Sequence, residues 1–193
     1  MTNKGRIFAI SVALLLGVAA YRLIVGPATP DHGINSYLNG EMAKLVLLDP
    51  PEAVSGHIIM QEDGSPVALN EIKDKVLLVN LWAPWCAPCR AEMKELANLQ
   101  KALGDDLFEV VAVNVDRSSI GGARETLAEW GVEGLALYAE PTMKIALDLA
   151  EGRLPTSFIV DRKGMVRALY VGPLAWDKPS SLALFKALKE GEL

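Results

Sequence analysis

With 193 residues, 51% of them hydrophobic and 22% charged, the chain can bury one good core with a short appendage but hardly two full domains. Its formal charge of −5 is spread over both signs without long runs, which leaves no continuous basic surface for nucleic acid. Its two cysteines, Cys86 and Cys89, are too few for a disulfide scaffold and stand within one four-residue stretch, so they serve chemistry or metal.

Lys4 and Arg6 precede an apolar run over residues 7–20, which resumes after Tyr21 and Arg22 and ends at Gly26 and Pro27. The 20 residues 7–26 are about what a helix rising roughly 1.5 Å per residue needs to cross hydrocarbon. Two readings stand for residues 1–27: an uncleaved transmembrane anchor, and a signal peptide cut near the small residues Val18, Ala19 and Ala20. In both, the leading positive charges stay cytoplasmic and the rest of the chain is exported. The expected location is the bacterial inner membrane, with the catalytic domain facing the oxidising periplasm.

Residues 28–55, broken by Pro30, Pro50 and Pro51, read as a linker with one short helix within 36–48. The domain proper is expected over 56–193. It opens with a β-hairpin, residues 57–61 and 67–69 around a turn containing Gly64, and a helical turn near 70–73. Residues 76–82 are almost wholly apolar or β-branched and predict a strand covered on both faces. Met93, Leu96 and Leu103 then recur at helical spacing up to Gly104, and residues 109–115 predict a second buried strand. Strand, helix, strand of this length predicts a right-handed parallel crossover. Further on come a helix over 122–130, a short strand at 135–138 and a helix over 142–150, an insertion after the crossover. A hairpin of 157–161 and 165–172 and a last helix from about 177 to Gly191 complete the chain.

The cysteines sit where a buried strand hands over to a helix, in Trp82-Ala83-Pro84-Trp85-Cys86-Ala87-Pro88-Cys89-Arg90. A cysteine at a helix N-terminus faces unpaired N–H groups and the positive end of the helix dipole, which favour thiolate over thiol. Cys86 is therefore the candidate nucleophile, and Cys89, one turn further on the same face, the resolving thiol. Pro88 suits the first helical turn, and Trp85 offers an apolar lip beside the reactive sulfur. A metal centre would need more ligands than this pair supplies, and the only histidines, His32 and His57, lie well upstream. No metal and no cofactor is expected.

Strand, Trp-Cys-x-Pro-Cys and helix resemble the thioredoxin superfamily. Val79 through Met93 is similar to its anchored periplasmic branch, the TlpA-like and cytochrome c maturation proteins, as are Val113-Asn114-Val115-Asp116 and Val171-Gly172-Pro173-Leu174-Ala175-Trp176. The similarity covers roughly residues 56–193. It implies an α/β thioredoxin-like fold: a mixed central sheet flanked by helices, with an N-terminal β-hairpin extension and a central insertion. It also implies a cis peptide before Pro155, beside the disulfide, with Leu154 and Trp85 in the substrate groove. A Pro without an N–H leaves the neighbouring backbone free to pair with an extended client.

Two positions depart from the pattern. Asn80 stands where thioredoxin has a buried Asp and cannot shuttle a proton, so Glu92, which matches an acidic residue of the anchored branch, is the candidate base; a plain solvated glutamate is the other reading. Lys94 replaces a proline that kinks this helix in relatives.

The resemblance implies a monomeric protein thiol-disulfide reductase, recharged by a membrane thiol-disulfide electron donor. Its expected clients are cysteine pairs of periplasmic metalloproteins in respiratory cytochrome assembly: the copper centre of cytochrome oxidase or its copper chaperone, or alternatively apocytochrome c before haem attachment. A copper-binding carrier is the reading from another class, and would need a third ligand. A peroxidase is weakened by the missing Pro-x-x-x-Thr-x-x-Cys pocket.

Overall fold

Every residue of β4, Val76–Trp82, is buried, which is why this run carries no alternation of polar and apolar residues. The computed structural model describes residues 33–191 apart from Ser119, so the apolar segment 7–26 lies outside the described residues. Around β4 the chain lays out β1 (Val46–Ala53), β2 (Ile58–Met60), β3 (Pro66–Ala68), β5 (Phe108–Asn114), β6 (Leu137–Ala139), β7 (Thr156–Val160) and β8 (Met165–Val171). They form one mixed sheet in the order β1-β8-β7-β4-β5-β6-β2-β3. β5 runs parallel to β4, with Val76 opposite Phe108 and Trp82 opposite Asn114. β7 runs antiparallel on the other side, with Leu81 opposite Thr156. The parallel crossover and the late hairpin are therefore both present.

Successive strand residues point to opposite faces, and the two faces are packed differently. Val76, Leu78 and Trp82 join Met93, Leu96 and Leu99 of α1 (Ala87–Leu103), Leu127 of α2 (Ile120–Glu129) and Leu184, Phe185 and Leu188 of α4 (Pro179–Glu190). Leu77, Val79 and Leu81 pack instead with Ile145 and Ala146 of α3 (Lys144–Ala150), Ile59 of the first hairpin and Leu69. Phe185 is fully buried and packs on Phe108 at 5.2 Å and on Trp176 at 6.2 Å between ring centroids. Truncation to alanine at such a site costs about 3–5 kcal/mol. Phe185→Ala is accordingly expected to lower the unfolding free energy in urea by that much without changing the slope; a loss below about 1 kcal/mol would mean the cluster is loosely packed.

α1 is one unbroken helix through Lys94, as the absence of a proline there allows. Gly104 ends it for a packing reason. Its backbone is not left-handed (φ −62°), but a Cβ there would collide with the Gln100 carbonyl and side-chain amide. That amide is occupied in accepting the Val110 N–H on β5 at 2.7 Å.

The stretch before the hairpin differs from its reading as a linker with one helix. Two short 3-10 turns, Ile34–Tyr37 and Gly40–Lys44, bury Ile34 and Met42, and Leu45 joins them in the core. The chain then adds β1 beside β8. Pro50 and Pro51 concealed this strand because proline cannot donate to a ladder. At a sheet edge it need not, and the register shifts between Leu47 and Glu52 so that the prolines fall in the unpaired stretch.

Candidate active site

β4 delivers the backbone to a tight turn, closed by the Cys86 N–H donating to the Ala83 carbonyl at 3.1 Å. α1 starts at once. Cys86 is its N-cap residue, with extended backbone angles, and its Sγ accepts the Cys89 N–H at 3.2 Å. Pro88 occupies the first helical turn, where no ladder N–H is called for. Cys86 and Cys89 are joined by a disulfide, their Cα atoms 5.3 Å apart. Cys89 is wholly buried while Cys86 retains 4% exposure, so solvent reaches the pair only through Cys86.

Trp85 projects outward, 61% exposed. Its indole N–H donates to Asp116 Oδ1 at 3.0 Å. Hydrogen bonds from Ser118 and from Trp85 hold the Asp116 carboxyl below the usual range, so this anchor is a carboxylate at neutral pH. The Leu154–Pro155 peptide is cis. Because Thr156 faces Leu81 across the antiparallel pair, Pro155 stands level with Trp82, at the strand end that leads into the cysteines. Its carbonyl accepts the Gly172 N–H at 2.8 Å, and Leu154 is half-buried at the same end of the sheet.

Glu92 is not on the surface. It is 1% exposed, one turn beyond Cys89 on α1. Asn80 Nδ2 donates to its Oε1 at 2.7 Å, and the Leu174 N–H and Trp176 Nε1–H donate to its Oε2 at 2.9 and 3.1 Å. Burial is the largest influence and raises its pKa to about 7. The three hydrogen bonds pull the other way and Glu95 adds a small upward push. A carboxyl poised there can hold or release a proton at neutral pH, as a thiol-disulfide centre requires when Cys89 changes state.

The structure thus gathers Cys86, Cys89, Trp85, Leu154, Pro155 and Glu92 at one end of β4. Sequence reading missed what fixes two of them: Asp116 beneath Trp85, and the trio Asn80, Leu174 and Trp176 around Glu92. Those residues lay inside the segments that carry the family resemblance, but nothing in their spacing shows that they converge on one carboxylate. Among the described residues no group of three or more His, Cys, Asp or Glu side chains is placed to hold a metal ion.

Comparison with known proteins agrees with this geometry. The Redoxin family model matches residues 51–184. The chain is 34% identical over 141 residues to the thiol:disulfide interchange protein HelX of Rhodobacter capsulatus, covering 72% of each chain. It is 32% identical over 140 residues to a thiol:disulfide interchange protein DsbE homologue of Paracoccus denitrificans, covering 67% of this chain and 75% of that one. A crystal structure described as a putative thiol:disulfide interchange protein DsbE from Chlorobium tepidum superposes with a TM-score of 0.60 at 27% identity, over 72% of this chain and 97% of the other. The chain belongs to the Redoxin family, as a thioredoxin-fold, TlpA-like thiol-disulfide oxidoreductase whose redox pair is Cys86 and Cys89.

Proposed function

We propose that the protein is a periplasmic reductant, tethered to the inner membrane by residues 7–26, that keeps cysteine pairs of metalloprotein clients reduced during respiratory cytochrome assembly. The observation that supports exchange chemistry at this pair is the buried Glu92 one turn from Cys89 on α1, a proton store for the thiol that must ionise when a mixed disulfide is resolved; the reductive direction follows the likeness to proteins of the cytochrome maturation type.

The Cys86 thiolate attacks a client disulfide, and the client's other sulfur leaves as a thiolate that picks up a proton. Cys89 passes its proton to Glu92 and attacks Cys86 Sγ, which releases the second client sulfur. Two electrons have then moved to the client, and the protein is left with the Cys86–Cys89 disulfide. A membrane dithiol donor returns the electrons and the cycle restarts. Trp85 and Leu154 flank the client segment, and the backbone beside Pro155 pairs with it.

Copper-centre thiols are the preferred client, in the oxidase or in its chaperone, because a disulfide offers no thiolates for copper. Deleting the gene is expected to abolish copper-dependent oxidase activity and leave covalent c-type haem intact. Lost c-type haem would instead assign the apocytochrome as client. Among the described residues no helix is long and apolar enough to cross a membrane, so tethering rests on the 7–26 segment alone. Full-length protein is expected to stay in the pellet after alkaline carbonate extraction; a mature N-terminus at Tyr21 would show a cleaved, free protein.

A further inference from the structure

The two oxygens of Glu92 have unlike surroundings. Oε2 receives the Leu174 N–H and the Trp176 Nε1–H, a backbone amide and an indole that donate and never accept. Oε1 receives only Asn80 Nδ2, at 2.7 Å. Asn80 is fully buried, its Nδ2 also donates to Ser157 Oγ at 2.9 Å, and its Oδ1 has no hydrogen-bond partner among the described residues.

Three donors on two oxygens suit a carboxylate. A carboxylic acid is another matter, since an O–H aimed at an N–H donor is repulsive. At Oε2 nothing can relieve this, because both donors are fixed. At Oε1 the carboxamide can relieve it, since half a turn about its terminal bond exchanges Oδ1 and Nδ2 with almost no change of shape. The Ser157 hydroxyl, donor and acceptor at once, reverses with it.

We propose that Asn80 is a positioning residue whose carboxamide follows the proton on Glu92, donating Nδ2–H to Oε1 of the carboxylate and turning over to offer Oδ1 to that oxygen when it carries the proton. This rests on the reading of Glu92 as the proton store and names the atom that holds the proton. The turned amide moves its NH2 into the place where Oδ1 has no partner. A buried donor left unmade is costly, so the donating orientation is the resting one and only the proton drives the turn. The charged group acting on Glu92 is Glu95, on its own helix. From β4 and the segment before α4, the groups that bond to it are the neutral Asn80, the Leu174 N–H and Trp176, and Ser157 of β7 bonds to Asn80 in turn.

The test is a nuclear magnetic resonance titration of the oxidised full-length protein, following the Glu92 carboxyl carbon, the Asn80 side-chain NH2, the Leu174 amide and the Trp176 indole N–H. The expected result is that the Asn80 NH2 protons move upfield as the carboxyl protonates, with the same midpoint, while the Leu174 and Trp176 protons keep their hydrogen-bonded shifts. Glu92→Gln gives a second reading. Leu174 and Trp176 demand an oxygen, so the carboxamide introduced by this substitution must turn its NH2 toward Asn80, and the low-pH Asn80 signature should appear at every pH. A carboxyl that titrates beneath unmoved Asn80 protons, or a Glu92→Gln variant with the high-pH Asn80 signature, overturns the amide turn and leaves Glu92 as proton store. No titration of the carboxyl at all removes the proton store, and this proposal with it.

Discussion

Cys89→Ser is expected to accumulate covalent adducts with its clients, and Cys86→Ser to accumulate none. Cys86 stands at the N-cap of α1 and keeps the only exposed edge of the pair, whereas Cys89 is wholly buried. A client disulfide can therefore meet only Cys86. Resolution by Cys89 is intramolecular, and well-oriented reactions of that kind run at effective concentrations on the order of 10⁵ M or more. Removing the resolving thiol leaves only external thiols at millimolar levels or below, so the mixed disulfide should outlive the normal one by several orders of magnitude. Non-reducing electrophoresis of membranes from strains carrying each variant, with mass spectrometry of the shifted bands, reads this directly. Adducts in the Cys86→Ser strain would reverse the assigned roles.

The second large effect is a pH dependence that a single atom change removes. The carboxyl of Glu92 titrates at about 7 in the folded protein and at 4.5 in its unpaired reference state, because burial penalises its charge. The folded state then binds more protons than the unfolded state between those values, so its stability falls as pH rises through this window. The contribution is fully present below about pH 4.5 and gone above about pH 7. Its size is roughly 3 kcal/mol, the free energy that separates proton binding at about 7 from proton binding at 4.5. Glu92→Gln stays neutral throughout, and urea unfolding at pH 4.5 and at pH 8 should show that the variant lacks this part of the wild-type decline. The same variant cannot take the Cys89 proton, and disulfide reduction should slow by about 10²-fold, the lower end of what general acid–base catalysis contributes. Equal pH slopes in wild type and variant would mean that Glu92 does not titrate in this range.

Much of this was legible in the sequence, for reasons that differ from element to element. β4 declared itself because seven buried residues in a row leave no alternation to misread. The 87–103 helix was legible from Met93, Leu96 and Gly104, although Gly104 acts through contact with Gln100 rather than through a left-handed backbone. β1 was hidden because Pro50 and Pro51, strong breakers along a chain, are tolerated where a strand has a neighbour on one side only. At the site, the cysteines were fixed by a local motif. The surroundings of Glu92 were not, since they join residues 80, 92, 157, 174 and 176, which the chain separates by up to 96 positions. Periodicity reports which face of an element is apolar. It does not report which polar groups from distant elements meet beneath it.

Both outer strands of the eight-stranded sheet contain proline: Pro50 and Pro51 in β1, and Pro66 in the three-residue β3. A sheet margin with missing donors is a poor template for another copy of the chain. For the exported reductant proposed above, which would meet unfolded, thiol-exposing clients, this matters in a second way. Proline removes donors from both margins, which makes them weaker places for an extended client to add itself as a further strand than the short stretch beside Pro155 proposed to receive it. On that proposal, the same prolines that make the sheet margins poor templates for a second copy would also favour the place where a client disulfide can be opened.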